Sequence, residues 1–389
     1  MDERPTVNDT PLSRLIASRI LREGEIPFAD FMSMALYEPG MGYYTSPGRK
    51  VGAEGDFYTS SNVHAIFGRM IGRELAAMWR ALGAPDDFTI CEVGAGGGRL
   101  AADILDGIGG EEPAFYRSLR YRFVETEPSL VDVQRETCRS HGERLAWSTP
   151  EELSSGTLRV TGCILSNELV DSFPVHLVEM TSDGLKEMYV AVEEEQFVPC
   201  WRDPSDPRIP LYFARLGVWP PFGSRAEVNL AMIDWVTAAV RSLTRGFVLT
   251  IDYGFEAPEL YGIGRANGTL LCYHRHRVVD DPFARVGEQD ITSHVDFTTL
   301  RRAGEEAGLS TVWFGEQYRF LLACGMMEEL FALERAPMSE TERLKTTLTL
   351  KKLILPEGGM GDTFKVLVQG KGVDDPPLLC RRDWTRISG

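Results

Sequence analysis

Phe88-Thr89-Ile90-Cys91-Glu92-Val93-Gly94-Ala95-Gly96-Gly97-Gly98 is an apolar run that stops on glycines, and its reading decides the fold. Phe88 to Val93 has the length and composition of a buried strand. The glycines after it let the backbone turn tightly and approach a ligand with no Cβ in the way. A helix beginning near Arg99 would add the unpaired N–H groups of its first turn. Outward from this stretch, further apolar runs lie near 121–125, 145–147, 163–166, 247–252, 310–314 and 364–369. Short apolar runs alternating with helical segments predict an α/β fold, a parallel sheet of seven strands covered on both faces by helices.

The loop also narrows the ligand. The dinucleotide fingerprint G-x-G-x-x-G would need a third glycine at position 99, where this chain has Arg99; Gly98 comes one residue early. The pattern E-x-G-x-G-x-G instead ends the strand on Glu92. A pyrophosphate would be repelled there, whereas the amino group or sulfonium of a cationic cofactor would be held. Farther on, the strand Tyr121-Arg122-Phe123-Val124 leads into Glu125, where a carboxylate can accept hydrogen bonds from both ribose hydroxyls. A glycine loop alone marks many turns that hold no ligand. With Glu92, Arg99 and Glu125 it points to S-adenosyl-L-methionine and to methyl transfer.

Composition sets the bounds. The chain has 389 residues, 43% hydrophobic and 25% charged, with a formal net charge of -16. That length buries an extensive core without staples. The acidic balance disfavours nucleic-acid and anionic-membrane partners and favours approach of cationic substrates, although ordinary solubility accounts for the larger share of it. The seven cysteines show no C-x-x-C pair and their count is odd, which fits a reduced, cytoplasmic compartment. The start of the sequence lacks the apolar run of a secretory signal and the Arg-rich, acid-poor character of a transit peptide. The oligomeric state is open, a homodimer included.

Along the chain, Pro11 to Arg22 has helical periodicity ending at Gly24, and Val63 to Leu82 reads as a long helix. Between them, Pro39 to Ser61 is rich in glycine, aromatic and hydroxyl residues, a loop of functional length. The interval between the fourth and fifth strands is too long for one crossover helix. It holds alternating segments around 175–178 and 188–192, a Pro-rich stretch at 204–221 and a helix near 227–243. The expected organisation is a helical, cofactor-covering N-terminal region at 1–84, a core at 85–172 and 244–389, and an inserted cap or substrate subdomain at 173–243.

Several segments resemble the MidA-like methyltransferases, the bacterial and mitochondrial family to which the complex I assembly arginine methyltransferase belongs. They are Tyr37-Glu38-Pro39-Gly40-Met41-Gly42-Tyr43-Tyr44, Gly55-Asp56-Phe57-Tyr58-Thr59-Ser60, the loop Glu92 to Gly98, Val124-Glu125, Ser166-Asn167-Glu168-Leu169-Val170-Asp171-Ser172-Phe173-Pro174-Val175, Ile251-Asp252-Tyr253-Gly254 and Asp290-Ile291-Thr292-Ser293-His294-Val295-Asp296-Phe297. The resemblance spans nearly the whole chain. It implies a class I methyltransferase fold, Rossmann-like, with cofactor contacts from the Gly55-Asp56-Phe57 loop as well as the glycine loop. For the mitochondrial member it implies arginine in a protein as acceptor. The candidate cofactor-binding residues are therefore Tyr44, Gly55, Asp56, Thr59, Glu92, Gly94, Gly96, Gly98, Glu125 and Asn167.

For the acceptor, a guanidinium is protonated at neutral pH and poorly nucleophilic. Carboxylates can orient its planar group and later take a proton. Glu168 and Asp171 follow the fourth strand on the ligand-binding edge and form the leading catalytic pair; a solvated loop or helix start is the plainer reading. His294 is a further catalytic candidate, weighed against a structural histidine. Asp252, Tyr253 and Asp290 are candidate substrate-binding residues, and Asp296 has the setting of a helix N-cap. No histidines show metal-ligand spacing, and no metal is expected. The function expected is N-methylation of a cationic guanidine, protein-bound or small. The alternatives are a small-molecule methyltransferase with another acceptor and a cofactor-binding assembly factor without turnover.

Overall fold

Each of the seven apolar runs forms a strand of one sheet in the computed structural model of the chain. The structure describes residues 6–7, 10–46, 65–275, 277–335, 337, 339–355, 361 and 363–383. Gly55, Asp56 and Thr59 lie outside the described residues. The strands are Phe88–Val93 (β1), Leu119–Val124 (β2), Leu145–Ser148 (β3), Val160–Asn167 (β4), Leu243–Phe255 (β5), Ser310–Glu316 (β6) and Phe364–Lys371 (β7). Their order across the sheet is β6-β7-β5-β4-β1-β2-β3, and a short eighth strand, Val295–Asp296, pairs with Gly254 and Phe255 of β5. Strands β3, β2, β1, β4 and β5 are parallel, and β7 runs antiparallel between β5 and β6. Five of the six residues of β1 and seven of the eight of β4 are buried, as helices on both faces require. The chain order reverses between β1 and β4, and the carboxyl ends of strands at such a reversal are where open α/β sheets bind ligands.

Contacts divide the chain into two units. The second comprises the described residues of Tyr58–Leu169 with Trp235–Tyr253 and Arg301–Gly389, and it contains the seven strands up to Tyr253. Its core joins Phe67, Met70, Ile71 and Leu75 of the helix Ala65–Ala81 to Ile104 and Leu105 of the helix Arg99–Glu111, and to Ile90, Tyr121, Phe123, Leu165 and Leu249 of the sheet.

The first unit comprises the described residues of Met1–Phe57 with Val170–Asp234 and Gly254–Leu300. Its helix Pro11–Glu23 is capped by Thr10, whose Oγ1 accepts the Ser13 N–H at 3.0 Å, and it stops at Gly24 with φ 92°. The helix Phe28–Tyr37 follows, and the antiparallel strands His176–Thr181, Gly184–Glu193, Gln196–Arg202 and Arg225–Val228 form a second sheet. Leu12, Ile16, Phe28, Phe31, Val175, Val190 and Ile291 make one apolar cluster of this unit.

These units run differently from the expected organisation. Residues 254–300, read with the core, pack with the first unit, and the helix Ala65–Ala81, read with the N-terminal region, packs with the sheet. The Pro-rich stretch contains a helix, Arg208–Leu216, with Pro207 at its N-cap and Pro210 in its first turn, where no backbone N–H is required.

Candidate active site

In the second unit the loop after β1 adopts the backbone its glycines predict. Gly94, Gly96 and Gly98 have φ of 74°, 50° and 78°. Gly98 forms the N-cap of the helix Arg99–Glu111, where its carbonyl accepts the Ala102 N–H at 3.1 Å. A Cβ on Gly94 would lie 2.7 Å from Leu169 Cδ1, so a side chain there is excluded both by conformation and by space. Glu92 is 2% exposed at the end of β1, and its Oε2 accepts the Tyr121 hydroxyl at 2.8 Å. Burial, opposed by that hydrogen bond, pushes its carboxyl up to about 7.

Glu125, just beyond β2, is fixed from three sides. Its Oε1 accepts the backbone N–H groups of Thr126 and Glu127 at 2.9 and 3.0 Å, and its Oε2 accepts Gln134 Nε2 at 3.1 Å. Gln134 is wholly buried, on the helix Pro128–Thr137. Sequence reasoning missed it because that helix has no other buried residue, so no apolar stripe marks its inner face.

The end of β4 carries a second cluster. Glu168 has φ 52°, a left-handed conformation that side chains with a Cβ avoid. Its N–H donates to the Ile251 carbonyl at 2.9 Å, and its Oε1 accepts Asn167 Nδ2 at 3.2 Å. Asn167 is 9% exposed, and its Oδ1 is a buried acceptor with no hydrogen-bond partner among the described residues. Asp252, at 0% exposure, accepts the Leu169 N–H through Oδ2 at 3.2 Å and the Tyr253 N–H through Oδ1 at 2.9 Å. Both of its oxygens thus hold backbone, which makes Asp252 a clamp on the Glu168–Leu169 turn. Tyr253 meets Phe364 edge-on at 5.5 Å.

The first unit gathers another set. The Tyr44 hydroxyl donates to both carboxylate oxygens of Asp290 at 2.8 Å, and its ring stacks on Tyr37 at 5.5 Å. Burial first, and the Asp290 charge second, raise the Tyr44 phenol well above its ordinary range, so it remains a donor. Asp171 is 5% exposed, and its carbonyl accepts the Ser293 N–H at 2.9 Å. His294 belongs to the same unit. Burial, aided by the Arg265 charge, lowers its imidazole to about 4, and its ring lies 5.3 Å from Phe255. Its imidazole is therefore neutral near pH 7. Asp296 is a helix N-cap: its Oδ1 accepts the N–H groups of Thr298 and Thr299 at 2.9 and 3.2 Å, and its Oδ2 accepts the Tyr212 hydroxyl at 2.8 Å. Among the described residues, no three His, Cys, Asp or Glu side chains gather as a metal site, and no helix is long and apolar enough to cross a membrane.

S-adenosyl-L-methionine fits these residues. A carboxylate fixed as Glu125 is suits a ribose diol, the open N-terminus after Gly98 suits polar groups, and the orphaned Asn167 Oδ1 needs an N–H donor. Known proteins agree. The sequence profile of a family of S-adenosyl-L-methionine-dependent methyltransferases matches residues 70–315. A Burkholderia thailandensis protein, crystallised with S-adenosyl-homocysteine bound, superposes with a TM-score of 0.85 at 32% identity, over 95% of this chain and 94% of that one. The mitochondrial protein arginine methyltransferase NDUFAF7 homolog of Drosophila melanogaster is 26% identical, across 93% of this chain and 85% of its own length. The human protein arginine methyltransferase NDUFAF7 is also 26% identical, across 82% of this chain and 74% of its own. A fixed ribose-type carboxylate, a left-handed glycine loop at a sheet reversal and these matches lead to one conclusion: the chain belongs to the MidA-like family of S-adenosyl-L-methionine-dependent methyltransferases.

Proposed function

We propose that the acceptor is a guanidino nitrogen of arginine, in a protein or as the free amino acid, with Glu168 as its carboxylate. The observation that carries this reading is the backbone of Glu168. It is held left-handed at the end of β4, at a cost of about 1–2 kcal/mol, while Asn167 steers its carboxylate. Strain of this kind persists where the surroundings over-determine a working geometry. The relatives named as arginine methyltransferases support the same acceptor class.

When bound, S-adenosyl-L-methionine supplies a methyl group on a positively charged sulfur. The chain's own residues must then align one guanidino nitrogen with that methyl and keep the plane of the guanidinium fixed. Glu168 hydrogen-bonds two guanidinium N–H groups, draws the positive charge away from the attacking nitrogen, and accepts its proton. The cofactor would supply the methyl, with the S–CH3 electron pair left on sulfur as the N–CH3 bond forms, and the Glu168 carboxylate would take the proton that the nitrogen loses. Asn167 Oδ1, a buried acceptor without a partner among the described residues, would accept an N–H from the amino group of the cofactor.

Incubation with labelled S-adenosyl-L-methionine and arginine-bearing peptides, intact proteins and free arginine, followed by fragment mass spectrometry, tests the proposal. Label on guanidino nitrogen is expected. Label only on oxygen or carbon acceptors overturns it.

A further inference from the structure

Three groups of the cofactor edge converge on Gln134. Its Nε2 donates to the Gly96 carbonyl at 2.8 Å and to Glu125 Oε2 at 3.1 Å, and its Oε1 accepts the Trp147 indole N–H at 2.9 Å. The partners leave its amide a single orientation, because the indole only donates while the peptide carbonyl and carboxylate only accept. The residue is 0% exposed, and its helix contributes no other buried side chain. A core-filling role would be served by an apolar residue here; a buried amide with every partner in place fixes directions.

Those directions are the ones a nucleoside needs. Backbone N–H groups at Thr126 and Glu127 pin one oxygen of Glu125, and Gln134 pins the other, which sets the plane of the carboxylate. Through Gly96 the same amide holds the turn of the glycine loop, next to the Cys138 thiol, which donates to the Gly98 carbonyl at 3.4 Å. Trp147, stacked on Phe123 at 5.5 Å, closes the third side.

We infer that Gln134 is the positioning residue of cofactor binding: it couples the glycine loop to the ribose carboxylate, so that both are set before S-adenosyl-L-methionine arrives. It acts through Glu125 and Gly96 and touches no reacting atom. The inference concerns the cofactor edge alone and is independent of the identity of the acceptor.

The test is a calorimetric double-mutant cycle with S-adenosyl-homocysteine as probe, on full-length protein. Gln134→Met keeps the volume and removes the three hydrogen bonds. It is expected to weaken binding about tenfold in the parent and by much less in a Glu125→Ala background, because the two residues act as one unit. Equal losses in both backgrounds, or no loss in the parent, overturn the inference. Melting of the ligand-free variants shows whether folding is retained. If Gln134→Met does not fold, Gln134→Glu decides by its pH profile. Its carboxylate would face the Gly96 carbonyl and Glu125 at about pH 9 and weaken binding, and uptake of a proton would restore a donor and part of the affinity towards about pH 6. A flat profile relative to the parent overturns the inference.

Discussion

Glu168, Glu92 and His294 are three titratable groups whose surroundings give them different work. Glu168→Gln keeps the shape and the Asn167 neighbour but removes the proton acceptor. Turnover on a guanidine is expected to fall about 100-fold or more while cofactor affinity changes little; single-turnover rates with calorimetric binding check this, and unchanged turnover removes Glu168 from the mechanism. For Glu92 the sign follows from its raised carboxyl, about 7 folded against 4.5 unfolded. The stability carried by the neutral form is full below 4.5 and is lost as pH rises through about 7. Glu92→Gln is therefore expected to be more stable than the parent at about pH 8, by roughly 3 kcal/mol, and to converge with it towards about pH 4.5. Denaturant melts of the ligand-free forms read this directly. His294, held near 4, has the opposite sign: its contribution is present above its unfolded value of 6.5 and is lost as pH falls through about 4. Glu92, Glu125, Asn167 and Glu168 could be placed at strand ends from the sequence because they terminate apolar runs. Gln134 was not, since its function depends on three partners from three separate elements.

At the scale of elements, the start of the helix Arg99–Glu111 joins stability to binding. Gly98 sits at φ 78° with its carbonyl in the helix, and the nearest atoms to an added Cβ are those of Gln134 at 3.4 Å. Gly98→Ala is expected to cost about 1–2 kcal/mol of stability from backbone strain and to weaken S-adenosyl-homocysteine binding as well; melting and calorimetry on the same protein separate the two. The Asp296 cap makes a contrasting case. Asp296→Ala uncaps the helix Phe297–Glu306 and strips a buried acceptor from Tyr212, so it is expected to destabilise by about 2–3 kcal/mol, whereas Asp296→Asn retains much of the cap. The inner strands β1, β4 and β5 could be read from sequence because burial on both faces leaves near-continuous apolar runs. The helix Arg208–Leu216 was hidden because its prolines, tolerated in a first turn, read as loop residues.

For the whole molecule, the sequence could show that something is inserted between β4 and β5 but not which other segments pack with it. Residues 254–300 join the first unit through contacts remote in sequence, such as Cys272, Val286 and Ile291 packing in one cluster with Leu12 and Phe28. A net charge of -16 gives the long-range field that a cationic acceptor would feel. The kcat/KM for an arginine-rich peptide is expected to fall several-fold between about 0.05 and 0.3 M salt, while the affinity for S-adenosyl-homocysteine changes less; steady-state kinetics across that series would show it. The most direct measurement of the acceptor is fragment mass spectrometry of an arginine-bearing substrate after incubation with labelled S-adenosyl-L-methionine, using the parent and Glu168→Gln in parallel. The account predicts label on guanidino nitrogen with the parent and almost none with the variant. Label confined to oxygen or carbon, or equal guanidino labelling by both proteins, would contradict it.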